Sequence, residues 1–328
     1  MIPPLHPIAD AIRQYHHFLV TSHVNPDGDA IGSMLAMGNI LRALHKEVVV
    51  YNESGLPRRF DWITGGEAIV STLPAHKPEA IIVLDCGDVR RPGETIQPWL
   101  TTLPIINLDH HLGNSHFGTY NWVDQRMAAT GEMVGMLARV FGIPFAGALG
   151  EALYLALTAD TGDFCYNNTR PQTLEMAAEI LRQGLKPGPF YERKHSTGTL
   201  AQIQMRGEVM QKAQLFGDGR ICLFQFTQEL FSRTGTTPED TEGLVNEGLA
   251  IRGVLVSVSL REERDRIKFS LRSKGEINVQ AVAIRFGGGG HRNAAGGNLA
   301  TTDMDEAIRT LTPAITAELE KACSTTAS

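Results

Sequence analysis

A two-domain α/β fold is predicted by three features of the sequence. Short Val- and Ile-rich runs alternate with helical patterns through the first half, Gly, Pro and charge gather in "LRQGLKPGPFYERKHSTGT" (residues 181–199), and a second set of strands and helices follows. The apolar runs at 17–23, 47–51, 80–85 and 104–109 read as buried strands, because continuous runs of that length suit a sheet covered on both faces. Helices are expected between them at "AIGSMLAMGNILRAL" and around "GEAIVSTL", and after them at "TGEMVGMLARVFG", "GALGEALYLALTADTGDF" and "PQTLEMAAEILRQG". This alternation predicts a parallel sheet in an N-terminal domain over 1–186. A connector over 187–208 leads to a smaller C-terminal α/β domain, 209–328. Strands are expected there at "RICLFQF", "GVLVSVSLRE" and "RIKFSLRS", the last two as a hairpin around "ERDR". Helices are expected at "TPEDTEGLVNEGLA", "NVQAVAIRF" and "DMDEAIRTLTPAITAELEKA".

Composition narrows the function. With 328 residues, 42% hydrophobic and 20% charged, the chain can bury two cores and reads as an ordinary globular protein. A formal net charge of -6 argues against a broad grip on long nucleic acid, which needs many phosphates neutralised, whereas a small anion needs few cations. The N-terminus lacks a basic stretch followed by an apolar core, and no run is long and uncharged enough to span a bilayer, so a cytoplasmic protein without membrane contact is expected. Cys86, Cys165, Cys222 and Cys323 show no CxxC spacing and read as reduced thiols.

Four clusters carry chemistry: "SHVNPDGDA" (His23, Asp27, Asp29), "LDCGDVRR" (Asp85, Asp88), "LDHHLGN" (Asp109, His110, His111) and "TADTGDF" (Asp160, Asp163). Each follows an apolar run, and ligands in open α/β sheets bind beyond the carboxyl ends of the strands. One such cluster would pass for a turn or a helix cap. Four of them point to metal, since carboxylates gathered this closely repel unless a cation lies between them. An EF-hand starting at Asp27 fails, with Ile31 at the fifth loop position and Gly38 where the bidentate Glu belongs. Oxygen and imidazole donors without thiolate favour Mn²⁺ or Mg²⁺ over Zn²⁺ or Fe²⁺.

"FGGGGHRNAAGG" (286–297) suggests a second site. Its glycines, Gly288, Gly289 and Gly290 among them, let a ligand approach the backbone and can form an anion nest beside His291 and Asn293. Arg272, Arg261 and Arg91 are candidate phosphate contacts, because guanidinium forks match phosphate oxygens. No Walker A, GxSxG or dinucleotide fingerprint is present.

Taken together, "NPDGDA", "LDCGD", "LDHHLGN", "TADTGDF" and "GGGGHRNAAGG" resemble, in order and over nearly the whole chain, the DHH phosphoesterase superfamily, named for the stretch seen here as Asp109-His110-His111. Length and domain pairing are most similar to its stand-alone oligoribonucleases, the nanoRNases, some of which also dephosphorylate 3'-phosphoadenosine 5'-phosphate. The resemblance implies an N-terminal DHH domain, a DHH-associated C-terminal domain and an active site in the cleft between them. It implies two Mn²⁺ ions, one held by His23, Asp27 and Asp85, the other by Asp29, Asp85, His110 and Asp160, with Asp85 shared. It also implies that His111 lies near the scissile phosphate, that Asp109 orients its neighbours, and that Arg272, the glycine run and His291 hold the terminal phosphate or nucleotide.

The activity so implied is hydrolysis of short RNA, dinucleotides included, to mononucleotides. A cyclic di-AMP or linear dinucleotide phosphodiesterase is the alternative within enzymes, and a catalytically inactive nucleotide-binding regulator, set against a complete ligand set, is the alternative outside them. "RSKGE" departs from the Ser-Arg-Lys-Lys-Gln signature of DHH-type pyrophosphatases, which sets that activity aside. A homodimer is left open.

Overall fold

The computed structural model describes residues 5–195 and 198–325, and the chain forms two compact units, 1–197 and 198–328. The first unit runs α1 (Leu5–Gln14), β1 (His17–Thr21), α2 (Gly28–Ala43), β2 (Glu47–Tyr51), β3 (Ile69–Val70), β4 (Ala80–Leu84), α3 (Gln97–Leu100), β5 (Ile105–Asp109), β6 (Tyr120–Val123), α4 (Thr130–Val140), α5 (Gly147–Asp160), α6 (Pro171–Arg182) and α7 (Pro187–His195). Its six strands pair in parallel in the order β3-β2-β1-β4-β5-β6.

Strand alternation explains why both faces are covered. Phe18, Val20, Ile82, Leu84, Ile106 and Leu108 join the core built with α2, α4 and α5. Leu19, Ile81, Val83 and Ile105 point the other way, into a second cluster with Tyr51, Ile96 and Leu100. Burying each of these side chains is worth about 1.5–3 kcal/mol, so both layers hold the sheet. α2 is buried along nearly its whole length, as its apolar sequence demands.

The second unit contains α8 (Leu200–Gln211), β7 (Gln214–Phe216), β8 (Ile221–Phe226), α9 (Gln228–Thr234), β9 (Val256–Glu262), β10 (Ile267–Ser273), α10 (Val279–Arg285), β11 (Gly289–His291), β12 (Ala294–Leu299) and α11 (Met304–Thr325). Its sheet runs β11-β12-β10-β9-β8-β7; β8 and β9 are parallel, and β9–β10 is the expected antiparallel hairpin. No described helix is long and apolar enough to cross a membrane.

Two expected helices are corrected. The segment around "GEAIVSTL" is a 3-10 turn, Gly66–Ala68, that runs into β3, because the β-branched pair Ile69 and Val70 extends the sheet beside Val50 and Tyr51. "TPEDTEGLVNEGLA" forms two 3-10 segments, Pro238–Thr241 and Leu244–Ala250, interrupted by Gly243 at φ +78. β6 escapes the sequence pattern because only Trp122 within it is buried.

Candidate metal centre

β1 and β4 lie side by side at the middle of the parallel sheet, where the strand order reverses direction. The crevice beyond the carboxyl ends of such a pair is where open α/β sheets take ligands. His23 lies just past β1, Asp27 caps α2, Asp29 sits in the first turn of α2 and Asp85 directly follows β4. β5 ends at Asp109 and is followed by His110 and His111, while α5 ends at Asp160. The topology thus delivers all four clusters to one end of the sheet.

The side chains converge. His23, Asp27 and Asp85 can offer ligand atoms that all lie within 4.8 Å of one another, as can Asp29, His110 and Asp160, and as can Asp85, His110 and His111. Asp85 divides between them: its Oδ2 is 3.5 Å from His23 Nε2, its Oδ1 3.5 Å from His110 Nε2 and 3.4 Å from His111 Nδ1. Asp160 Oδ2 approaches His110 Nε2 to 3.1 Å. Asp85 also has a left-handed backbone, φ 59, held by its amide donating to the Leu108 carbonyl at 3.0 Å. For a non-glycine residue that conformation costs about 1–3 kcal/mol, strain of the kind that functional sites retain.

The electrostatics are those of a site built for cations. Burial pushes the Asp29 carboxyl well above its ordinary range, and the charges of Asp85 and Asp160 add to it. Burial and Asp85 likewise raise Asp160. Burial alone would lower His110, but hydrogen bonds to Asp160 and Asp85 outweigh it and push the imidazole up to about 12. Burial would raise Asp85, yet His110 and His23 hold it well below the usual carboxylate range. With the side chains alone, protons do the neutralising. Oxygen and imidazole donors at this spacing fit divalent ions, and Cys86 adds no thiolate because burial pushes its thiol well up.

Around these groups the contacts fix orientation. Asp109 Oδ1 accepts from His111 Nδ1 at 2.7 Å and its Oδ2 accepts from Asn114 at 2.6 Å. His110 Nδ1 meets the Met127 carbonyl at 3.1 Å, aiming Nε2 at the carboxylates. Asp27 Oδ1 accepts from the Ala30 amide at 3.0 Å, capping α2.

The DHH family, N-terminal domain, matches residues 17–159, and the DHHA1 domain matches residues 222–317. Over 305 residues the chain is 31% identical to the bifunctional oligoribonuclease and PAP phosphatase NrnA of Thermus thermophilus, covering 92% of this chain and 90% of that protein. The chain belongs to the DHH family. As a member of this metal-dependent phosphoesterase family it is a hydrolase. It is also 26% identical over 315 residues to the protein of the same name from Bacillus subtilis, covering 95% of this chain and 96% of that one. A crystal structure of an exopolyphosphatase-related protein from Bacteroides fragilis is similar to the DHH chain with TM-score 0.89 and 27% identity, covering 95% of each.

Not every residue singled out joins the cluster. Asp88 is bound by Arg90, at 2.8 Å, and Asp163 by Lys194, at 2.5 Å. Arg91 lies beside the site, where its carbonyl accepts from the Val24 amide at 2.9 Å and its charge acts on His23. In the second unit Arg261, one of the candidate phosphate contacts, donates to the Pro238 carbonyl and to Glu263, each at 2.9 Å. Arg272 is on β10, its Nη1 donating to the Leu271 carbonyl at 3.0 Å.

The glycine run forms the β11–β12 hairpin. A Cβ at Gly288 would lie 2.2 Å from the Gly296 carbonyl oxygen, and one at Gly290 2.5 Å from that of Ala294, so close strand approach requires glycine there. Gly289 pairs with Gly296. Asn293 Nδ2 donates to Ser273 Oγ and the Gly275 carbonyl, both at 2.9 Å, pinning the hairpin. The side chain of His291 lies outside the described residues, as does that of Cys323.

Sequence reasoning missed Thr130, Gly131 and Glu132, which touch or brace the cluster from the start of α4. Their signal is slight: Ala129 stands where a helix wants a capping side chain, leaving the first amides of α4 to find an acceptor elsewhere.

Proposed function

We propose that the chain hydrolyses short oligoribonucleotides to mononucleotides, and 3'-phosphoadenosine 5'-phosphate to AMP, with two divalent ions, Mn²⁺ first among those that serve. The observation that carries this reading is Asp85, with one carboxylate oxygen toward His23 and the other toward His110. His23, Asp27 and Oδ2 of Asp85 would hold one ion; Asp29, His110, Asp160 and Oδ1 of Asp85 would hold the other. Such ions supply a water nucleophile at neutral pH and polarise the phosphoryl oxygens.

The chain's own groups set up the rest. Asp109 accepts the Nδ1 proton of His111 and fixes the ring, so that Nε2 is the atom offered to the scissile phosphate. Arg91 borders the site in the first unit. In the second, Arg272 and the hairpin bearing Gly288, Gly289, Gly290, His291 and Asn293 would hold the terminal phosphate or nucleotide. We assign the chemistry to residues 1–186 and substrate holding to 209–328, joined by 187–208, and we place the activity in the cytoplasm.

Support comes from two relatives whose names pair oligoribonuclease with PAP phosphatase, matched over nearly their full length. The test is a turnover panel in Mn²⁺ and in chelator: RNA dimers to longer oligomers, 3'-phosphoadenosine 5'-phosphate, cyclic di-AMP, pyrophosphate and polyphosphate. The proposal expects metal-dependent release of mononucleotides from the shortest RNAs and of AMP from the phosphoadenosine. A clear preference for cyclic di-AMP, pyrophosphate or polyphosphate would overturn it.

A further inference from the structure

The segment Met127–Glu132 touches three of the clustered side chains at once, and no motif of the site includes it. α4 begins at Thr130 with Ala129 in the capping position, and no side chain of its own caps it. The exposed amides are taken across the unit by Asp29: Thr130 N–H donates to Oδ2 at 2.6 Å and Gly131 N–H to Oδ1 at 2.9 Å. Ser33 Oγ donates to the same Oδ1 at 2.9 Å. Gly131 lets the start of α4 pack this closely on α5, since a Cβ there would lie 2.2 Å from Ala156 Cβ. The Thr130 hydroxyl turns to the other carboxylate and donates to Asp85 Oδ1 at 3.1 Å. Just upstream, the Met127 carbonyl holds His110 Nδ1.

This segment is itself braced. Glu132, 1% exposed, accepts from the Ala128 amide at 3.0 Å, from Thr173 Oγ at 3.1 Å and from Arg170 at 2.6 Å. Asn168 donates to the Ala128 carbonyl at 3.1 Å and to that of Asp160 at 3.0 Å. One short stretch of chain therefore sets the positions of Asp29, Asp85 and His110 relative to one another.

We infer that Thr130 is a positioning residue for the metal pair. Its hydroxyl fixes the rotation of the shared Asp85 carboxylate while its amide locks Asp29, so that the two groupings of ligands keep one spacing. A carboxylate that serves two ions must present each oxygen in a set direction. The Thr130 hydroxyl is a donor to Asp85 that carries no charge and is not itself one of the clustered groups. Groups that orient ligands in this way typically contribute about 10- to 100-fold in metal affinity or activity.

The inference rests on the proposed metal-holding role of the cluster, and calorimetric titration of Mn²⁺ into the metal-free full-length protein separates the two. Thr130→Val keeps the amide and the shape and removes the hydroxyl; Thr130→Ser restores the hydroxyl without the methyl. Thr130→Val is expected to bind Mn²⁺ about tenfold or more weakly, and to lose kcat on an RNA dinucleotide with little change in KM. Thr130→Ser is expected to recover both. Melting curves in chelator check that each variant folds; should Thr130→Val not fold, Thr130→Ala stands in for it under the same criteria. Wild-type Mn²⁺ affinity in the hydroxyl-less variant overturns the inference, as does a folded Thr130→Ser as weak as Thr130→Val. Failure of the wild-type protein to bind Mn²⁺ would instead remove the metal-holding reading itself.

Discussion

Neutralising Asp85 is the sharpest single perturbation of this site. Asp85→Asn preserves side-chain shape and removes the charge that faces His23 Nε2 and His110 Nε2, each at 3.5 Å, from a position only 2% exposed. With Mn²⁺ bound the imidazoles are neutral ligands and the charge that Asp85 would face is the cation's; even unit charges about 4 Å apart attract by roughly 4 kcal/mol at an effective dielectric near 20. Losing one such interaction from the transition state lowers the rate about a thousandfold. Asp85 serves both groupings, so that figure is a lower bound for its loss. Asp27→Asn is the internal comparison: its side chain is 53% exposed and belongs to one grouping, where solvent screening leaves a cost of about 10- to 100-fold. The assay is kcat on an RNA dinucleotide at saturating Mn²⁺, with circular dichroism confirming the fold of both variants. An Asp85→Asn enzyme that keeps more than about a thousandth of wild-type kcat, or that is no worse than Asp27→Asn, refutes the shared-carboxylate reasoning.

Metal uptake should release protons. In the metal-free protein His110, pushed up to about 12, is protonated across the neutral range, and a ligating imidazole must be neutral. Mn²⁺ affinity should therefore rise with pH by about tenfold per unit for each proton displaced, with at least one proton released per protein in calorimetry across buffers of different ionisation enthalpy; none released would contradict the assignment of His110 as a ligand. Arg272→Ala should raise KM for the dinucleotide about tenfold or more while Mn²⁺ affinity stays unchanged, and loss of metal in that variant would oppose the assigned role. On an RNA length series at fixed salt, kcat/KM should fall beyond roughly five nucleotides, because a chain of net charge -6 gains little from successive phosphates; efficiency that climbs steadily with length would indicate a processive exonuclease.

The sequence showed the site more fully than it showed the frame around it. The four clusters that carry His23, Asp27, Asp29, Asp85, His110 and Asp160 stood out because each follows an apolar run, and these six side chains do meet at one end of the parallel sheet; the choice of Asp85 over Asp88 and of Asp160 over Asp163 came from the resemblance to the family's motifs. The order β3-β2-β1-β4-β5-β6 was not legible, because strand neighbours depend on packing that periodicity does not encode. Asp88 and Asp163 looked as reactive as the carboxylates that converge and instead pair with Arg90 and Lys194, which residue type alone does not reveal. Thr130 was missed for the opposite reason. Its segment reads as an ordinary amphipathic helix, and its importance comes from amides that Asp29 satisfies from 101 positions away. The glycine run was read for ligand approach, while the structure adds a packing cause in the β11–β12 hairpin.

The central claim is that one end of the parallel sheet holds two divalent ions across Asp85. The most direct measurement is anomalous diffraction at the manganese edge from crystals of the full chain grown with Mn²⁺. Two peaks are predicted, one among His23, Asp27 and Asp85 and one among Asp29, Asp85, His110 and Asp160. A single peak, or peaks that leave Asp85 out of contact with either ion, would contradict the account.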